Sequence, residues 1–345
     1  MNKLVSIIIP HFNNETILLN CIQSIYISTY KNFEIIIVDN ASTDDSIKKA
    51  KSKFPSIRII KLDYNSGYAG GCNHGAKEAK GEYLFFLNND TTIDSNCIDE
   101  LVKQLLLNNK TSSVQPKILN MKHAAYFDYA GASGGFMDYL VFPFTRGRIF
   151  NTIEKDDSQY NDSRKIFWAS GAGFLTRKII FEKLYRFDEK LFAHMEEIDY
   201  HWKSYLAGYE VWINPKATIH HLGGGTLNMQ SSKKTYYNHR NSLILLLTNY
   251  TLLRSTMFFL LRLPLEIISS LKELLCLRPM HFLYHYIALL WLIPNIIFIK
   301  SRRSNIAKIR ILSDKELMSS GIIYNRSIVI QYFLMLKKKY KDLND

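Results

Sequence analysis

Four apolar runs, Leu4–Ile9, Phe33–Val38, Ile57–Lys61 and Tyr83–Leu87, recur about every 25 residues at the start of the chain. Segments of helical period separate them, as in Ile17-Leu18, Cys21-Ile22 and Ile25-Tyr26. Strands alternating with helices at this spacing predict βαβ units and a parallel sheet. The runs are nearly continuous in Ile, Val and Phe rather than alternating with polar residues. Helices are therefore expected on both faces of the sheet.

Each run ends in polar or glycine-rich sequence: Pro10-His11-Phe12-Asn13-Asn14, Asp39-Asn40-Ala41-Ser42-Thr43-Asp44, Asp63–Gly71, and Asn88-Asn89-Asp90. In open α/β sheets ligands bind outside the carboxyl ends of the strands. One such end is a turn; four on one sheet edge point to a built pocket. Ser42 or Asp44 also reads as a helix N-cap. The glycines of Asn65-Ser66-Gly67-Tyr68-Ala69-Gly70-Gly71 permit close backbone approach to a ligand, and Gly70-Gly71 suit a helix start that favours anions. They are not in GxGxxG register and follow the third strand, which disfavours a dinucleotide site. No GxxxxGK[ST] occurs, so a P-loop is excluded.

Further on, Ser113–Ile118 reads as a strand whose Pro116 suits an edge. Asn151–Ser163 is polar and reads as a mobile lid, and Arg146 or Arg148 is either a phosphate contact or a solvated loop arginine. Trp168 stands before the small residues Ser170-Gly171-Ala172-Gly173, as a platform for a sugar face or as a buried packing ring. Glu196, Glu197 and Asp199 enter a helix together. Acids in a first turn stabilise the helix dipole, and they are also candidate proton acceptors. His220-His221 precede Gly223-Gly224-Gly225-Thr226, where a histidine is either structural or a metal ligand.

Taken in order from residue 4 to about 250, these segments resemble family 2 glycosyltransferases, most of all the rhamnosyltransferase-like branch. The resemblance implies a GT-A-like Rossmann-type fold, a mostly parallel sheet with flanking helices. It places Pro10, Phe12, Asn13, Asp39, Asn65, Gly67 and Asn88 at the nucleotide. The family's DxD metal motif reads Asn88-Asn89-Asp90 here, leaving Asp90 as its one acid. His221 matches a family histidine that reaches the metal or diphosphate and would supply the missing ligand. Trp168, Ser170, Gly171 and Glu196 fall on the acceptor side, Glu197 on the catalytic base, and Asp199 on a second acid held in reserve as base. The implied cofactor is a divalent cation, Mg²⁺ or Mn²⁺, since a hard cation neutralises the charge of a departing diphosphate.

The chain has 345 residues, 47% of them hydrophobic, and a formal charge of +13. Residues 233–345 carry 18 Lys and Arg against 6 Asp and Glu, so the excess is C-terminal. A boundary is expected near 235/236, between a catalytic domain (1–110 nucleotide half, 111–235 acceptor half) and a basic, apolar helical region. Phe282–Ile299 is eighteen residues without a formal charge, interrupted by Pro294 and followed by Lys300-Ser301-Arg302-Arg303. That predicts basic amphipathic helices on the cytoplasmic side of a membrane, with a span as the competing reading. No RNP-like or helix-turn-helix pattern supports nucleic acid. Cys21, Cys72, Cys97 and Cys276 form no CxxC pair, which fits a reducing compartment, and no leader-like stretch precedes the first strand. The expected activity is inverting transfer of a sugar, rhamnose by branch, from a nucleotide sugar to a glycan or lipid-linked glycan of the cell surface. A nucleotidyltransferase and an inactive membrane scaffold are the rivals.

Overall fold

The computed structural model describes residues 3–223 and 231–344, so Gly224, Gly225 and Thr226 of the predicted glycine loop lie outside the described residues. The predicted alternation is present as β1 (Val5–His11), α1 (Glu15–Tyr26), β2 (Phe33–Asp39), α2 (Ser46–Lys53), β3 (Arg58–Lys61), α3 (Gly67–Glu78) and β4 (Tyr83–Leu87). Then come β5 (Thr91–Ile93), α4 (Cys97–Leu106) and β6 (Thr111–Asn120). Short strands β7 (Gly135–Met137), β8 (Pro143–Thr145), β9 (Arg148–Ile149) and β10 (Thr152–Ile153) form a separate small sheet. The first half of the fold closes with β11 (Arg164–Lys165), β12 (Gly173–Arg177), α5 (Lys178–Lys183), α6 (Glu196–Leu206) and β13 (Glu210–His221). Six helices follow: α7 (Ser232–Asn249), α8 (Leu252–Leu275), α9 (Pro279–Trp291), α10 (Ile296–Ile309), α11 (Asp314–Ser319) and α12 (Ile328–Phe333).

The main sheet runs β11-β13-β6-β12-β4-β1-β2-β3, with β5 on β13. Strands β1 to β4 pair with one another in parallel, as predicted. The other half is mixed, because β12 runs antiparallel to both β4 and β6. β6 is interior rather than the expected edge. Pro116 sits opposite Asn214, where the β6–β13 register shifts, and a bulge excuses the missing N–H. Period-2 alternation splits the apolar side chains between two cores. Ile7, Ile9, Ile37 and Phe85 pack with α1 and α4, while Ile8, Val38, Phe86 and Phe174 face the opposite layer. Helix α3 lies so close to that second face that a Cβ on Gly75 would stand 3.1 Å from Val38 Cγ2 and overlap Ile8.

The same opposite core continues without a break into Trp202, Leu243, Leu246, Tyr250, Phe258, Ile299 and Ile306. The C-terminal helices thus share their hydrophobic core with the sheet. The predicted run Phe282–Ile299 is divided between α9 and α10, which meet at 69° across the break that holds Pro294. Among the described residues no single helix is long and apolar enough to cross a bilayer. The expected lid is tied down: Lys117 pairs with Asp156 at 2.8 Å, Tyr160 donates to Glu154, and Arg146 holds Asp162 at 2.8 Å. Arg146 is only 1% exposed and serves this clamp rather than a phosphate.

Candidate active site

Strand pairing assembles one half of the site. On the antiparallel β5–β13 ladder His221 lies opposite Thr91, and Leu222 N–H donates to the Asp90 carbonyl at 2.9 Å. Asp90 is therefore brought to His221 by backbone register, and its Oδ1 lies 3.1 Å from His221 Nε2. The other ring nitrogen, Nδ1, lies 2.9 Å from Asp128 Oδ1. Asp128 is itself positioned by its N–H donating to Ile118 O and by Ala130 N–H on its carboxylate. All three side chains are buried. Burial opposes charge on the His221 imidazole, but the two carboxylates outweigh it and push its pKa up to about 10. Asp128 escaped the sequence reading. The one signal was a lone acid between aromatic neighbours, Phe127 and Tyr129.

The Asn89 side chain and the Asn88 backbone tie the rest of the tip to its surroundings. Asn89 is buried and its amide meets His11 Nδ1 at 2.8 Å, while His11 Nε2 meets Ser46. Asn88 N–H donates to Ala172 O at 3.1 Å, which fastens the tip to the Ser170–Gly173 segment. In that segment the Gly171 amide faces the Glu197 carboxylate and favours its charged form. A two-residue link, Gly171-Ala172, therefore joins Asp90's strand tip to Glu197. Burial pushes Glu197 up to about 7, and it raises Glu196 well above the usual carboxylate range with help from the Glu197 charge. Glu196 is the more deeply buried of the two and holds its proton.

Glu196 opens α6 after a run of strained backbone: Phe192, His194 and Met195 all have positive φ. Such strain persists only where surroundings over-determine it. Here Asn241 donates to the carbonyls of Leu191, Ala193 and His194, and Arg240 to those of Lys190 and Leu191. On the other side Ala69 N–H donates to Phe192 O. This explains Gly67: its φ is +73°, and a Cβ there would stand 2.7 Å from the Phe192 ring. The glycine-rich segment thus admits the protein's own strap. With Gly67 N–H on Asn65 Oδ1 as well, the start of α3 is not the open anion site the sequence suggested.

Several other assignments change. Asp199 is no candidate base: it is fully buried and paired with Arg302 at 2.6 Å and Lys203 at 3.1 Å, which hold its carboxyl down to about 2 against burial. Arg302 also pairs with Asp188, so a residue read from sequence as membrane-facing charge is an internal tie. Trp168 is no sugar platform. It is 4% exposed, donates Nε1–H to Phe136 O at 2.8 Å, and covers Gly135, where a Cβ would overlap the indole. The Ser170 hydroxyl donates to Ala130 O and accepts from Ala172 N–H, so it too is engaged. At the nucleotide end, Asp39 lines a cleft of about 580 Å³ with Ser42, Lys51 and Lys61. Asn13 bonds Thr43 and Ser42, fastening the β1 loop to the β2 loop, and Pro10 packs near Gly71. Phe12 is half-buried at the tip of β1.

A family model described as Glycosyl transferase family 2 matches residues 6–184. The chain belongs to this family. It is 26% identical over 241 residues to the glycosyltransferase GlyG of Streptococcus pneumoniae, covering 66% of this chain and 73% of that one. It is 22% identical over 220 residues to the N-acetylglucosaminyl-diphospho-decaprenol L-rhamnosyltransferase of Mycobacterium tuberculosis, covering 59% and 72%. Longer relatives are matched over a third or less of their own length. The fold is GT-A-like. The mannosyltransferase PcManGT from Pyrobaculum calidifontis, solved with GDP-Man and Mn²⁺, superposes with a TM-score of 0.51 at 14% identity, covering 83% of this chain and 86% of that one.

The Asp199–Arg302 tie yields a stability prediction. Arg302→Ala leaves a buried carboxylate with Lys203 as its one remaining cation beside the Asn249 amide, and is expected to cost about 3–5 kcal/mol, read by urea denaturation. Because Asp199 is held below its unfolded value, its contribution is present above about pH 4 and disappears as pH falls towards 2. Acid titration should therefore narrow the gap between the native protein and Arg302→Ala.

Proposed function

We propose that this family 2 glycosyltransferase is a metal-dependent inverting enzyme that moves a sugar from a nucleoside-diphosphate sugar to a hydroxyl of a lipid-linked glycan. The observation that carries this reading is His221 set between Asp90 and Asp128. A buried site that lifts a histidine to about pH 10 is one that demands positive charge. A divalent cation answers the same demand, with Asp90 and His221 Nε2 as its ligands and Asp128 fixing the ring through Nδ1–H. When bound, such a cation supplies neutralisation of the departing diphosphate. Mn²⁺ in the mannosyltransferase neighbour supports the choice of ion.

The chain's own residues do the rest. Gly171 N–H and the first turn of α6 aim the Glu197 carboxylate, and the strap held by Arg240 and Asn241 fixes where that turn begins. Glu197 takes the proton of the acceptor hydroxyl as its oxygen bonds to the anomeric carbon. The bond to the diphosphate breaks on the opposite face, inverting the centre. Glu196, protonated, adds no second charge beside the base. Asp39 holds the nucleoside end in the cleft beyond β2. The rhamnosyltransferase relative supports rhamnose as the first donor to try and a polyprenyl-diphosphate-linked glycan as acceptor.

A lipid-linked acceptor fits the C-terminal surface. Leu253, Ile268, Leu275, Leu277, Ile293 and Ile297 are each more than 60% exposed on α8, α9, α10 and their connections. Apolar exposure on this scale marks an interaction surface. We assign it to the cytoplasmic face of the cell membrane, in the interfacial mode, as no single described helix is both long and apolar enough to cross.

Three outcomes are expected. Glu197→Gln should lower kcat by about 10²–10⁴ while nucleoside-diphosphate binding persists, and in the native enzyme kcat/KM should rise with pH through a limb near 7, since the base works deprotonated. Asp128→Asn should weaken Mn²⁺ affinity about 10–100-fold in calorimetry without displacing the nucleotide pocket; unchanged affinity would remove Asp128 from the metal reading. Leu253→Glu combined with Ile268→Glu and Ile297→Glu should stay folded and cease to float with anionic liposomes. Flotation equal to that of the unaltered protein would refute the membrane assignment.

A further inference from the structure

Away from the catalytic site, three helices each bring one donor atom to a single point. His239 comes from α7, Glu266 from α8 and His285 from α9. His239 Nδ1 lies 2.7 Å and His285 Nδ1 3.0 Å from the same oxygen, Glu266 Oε2. The two imidazole centroids are 3.8 Å apart. Glu266 and His285 are almost fully buried, whereas His239 is 19% exposed at its side chain, which leaves a path from solvent. The other carboxylate oxygen, Oε1, is held by Arg262 Nε at 2.7 Å and Nη2 at 2.6 Å. Arg262 is in turn fixed by Leu140 O, Ser242 Oγ and the Phe142 ring. The carboxylate cannot rotate, and Oε2 is left to the histidines.

The plain alternative is two imidazoles donating to one carboxylate oxygen. His285 fits it, with a hydrogen bond at 3.0 Å. His239 Nδ1 comes closer still, at 2.7 Å, so both rings converge on Glu266 Oε2. Three donor atoms from three helices, all within 4.8 Å of one another, can serve one metal ion in place of those protons.

We propose that His239, Glu266 and His285 bind one divalent transition-metal ion of the zinc class. Two imidazole nitrogens and one carboxylate oxygen suit Zn²⁺ or Co²⁺ better than Mg²⁺, which prefers oxygen and keeps its waters. The fourth position faces the half-open His239 side and takes water. Arg262 is the outer-shell group that orients the carboxylate. The ion pins α7 to α8 and α9 immediately beside Arg240 and Asn241, the residues that hold the strained strap before Glu197. The site stands on the geometry of the helices and does not depend on the reading of the sugar-transfer reaction.

The test uses the full-length protein, stripped with chelator and titrated with CoCl₂ and then ZnCl₂ in a large excess of Mg²⁺. One Co²⁺ per chain is expected, with the intense visible bands of a four-coordinate nitrogen–oxygen site, and Zn²⁺ should bleach those bands and raise the melting temperature. His239→Ala and His285→Ala should each weaken Co²⁺ binding at least about tenfold with circular dichroism unchanged. His239 lies at the open edge, so His239→Ala alone decides the matter if His285→Ala fails to fold. Absence of a stoichiometric Co²⁺ signal would overturn the proposal. So would a signal that survives His239→Ala but disappears in His221→Ala, since the ion would then belong to the catalytic site.

Discussion

Two buried carboxylates that need a positive charge between them organise this molecule's chemistry. Asp90 and Asp128 approach His221 from opposite sides, and neither can be desolvated at tolerable cost without that partner. The chain meets the requirement with three separately delivered segments: the tip after β4, the loop after β6, and the end of β13. Because β5 pairs with β13 in fixed register, the Asp90–His221 contact follows from backbone geometry rather than from side-chain reach. That rigidity lets a strand tip with a single acid, Asp90, present a defined carboxylate–imidazole pair.

The proton-accepting side is built on the opposite principle. Glu197 sits at a helix start whose approach, Phe192 to Met195, is conformationally unfavourable, and the forces that impose it come from elsewhere. Arg240 and Asn241 of α7 hold its carbonyls, and Arg302 of α10 grips Asp188 before it and Asp199 after it. The C-terminal helices accordingly set the backbone that leads into Glu197. Their shared core with Phe174 and Trp202 says the same in apolar terms.

This division explains what could be read from sequence. The strands were legible because continuous Ile, Val and Phe admit one environment. Asp90, Glu197 and His221 were legible because each sits in a segment whose neighbours mark its position. Asp128 was not, since its role comes from a bridge between Leu119 and Phe127 that no local pattern announces. Residues whose chemistry is ambiguous were read with a functional alternative, or counted as surface charge, where packing had claimed them. Trp168 covers a glycine, Gly67 makes room for Phe192, and Arg146, Arg240, Arg262 and Arg302 are all buried partners of acids or carbonyls. Charge counts treat an arginine as surface; only tertiary contacts reveal which ones the interior has taken.

That last point alters how the C-terminal region relates to a membrane. With several arginines turned inward, the outward face of α8 to α10 is more apolar than its composition suggests, and attraction to it is mainly hydrophobic rather than electrostatic. An attachment of that kind is weakly screened by salt. On the proposed attachment α8 to α10 would lie at the level of the lipid interface, while α7 and the inner end of α10 reach from those helices to the strap and Asp199. A lipid-linked acceptor, whose glycan projects from the same interface, would then meet the base along the shortest path the fold provides. Tight coupling between the membrane-facing helices and Glu197 is thus the arrangement such a substrate would require.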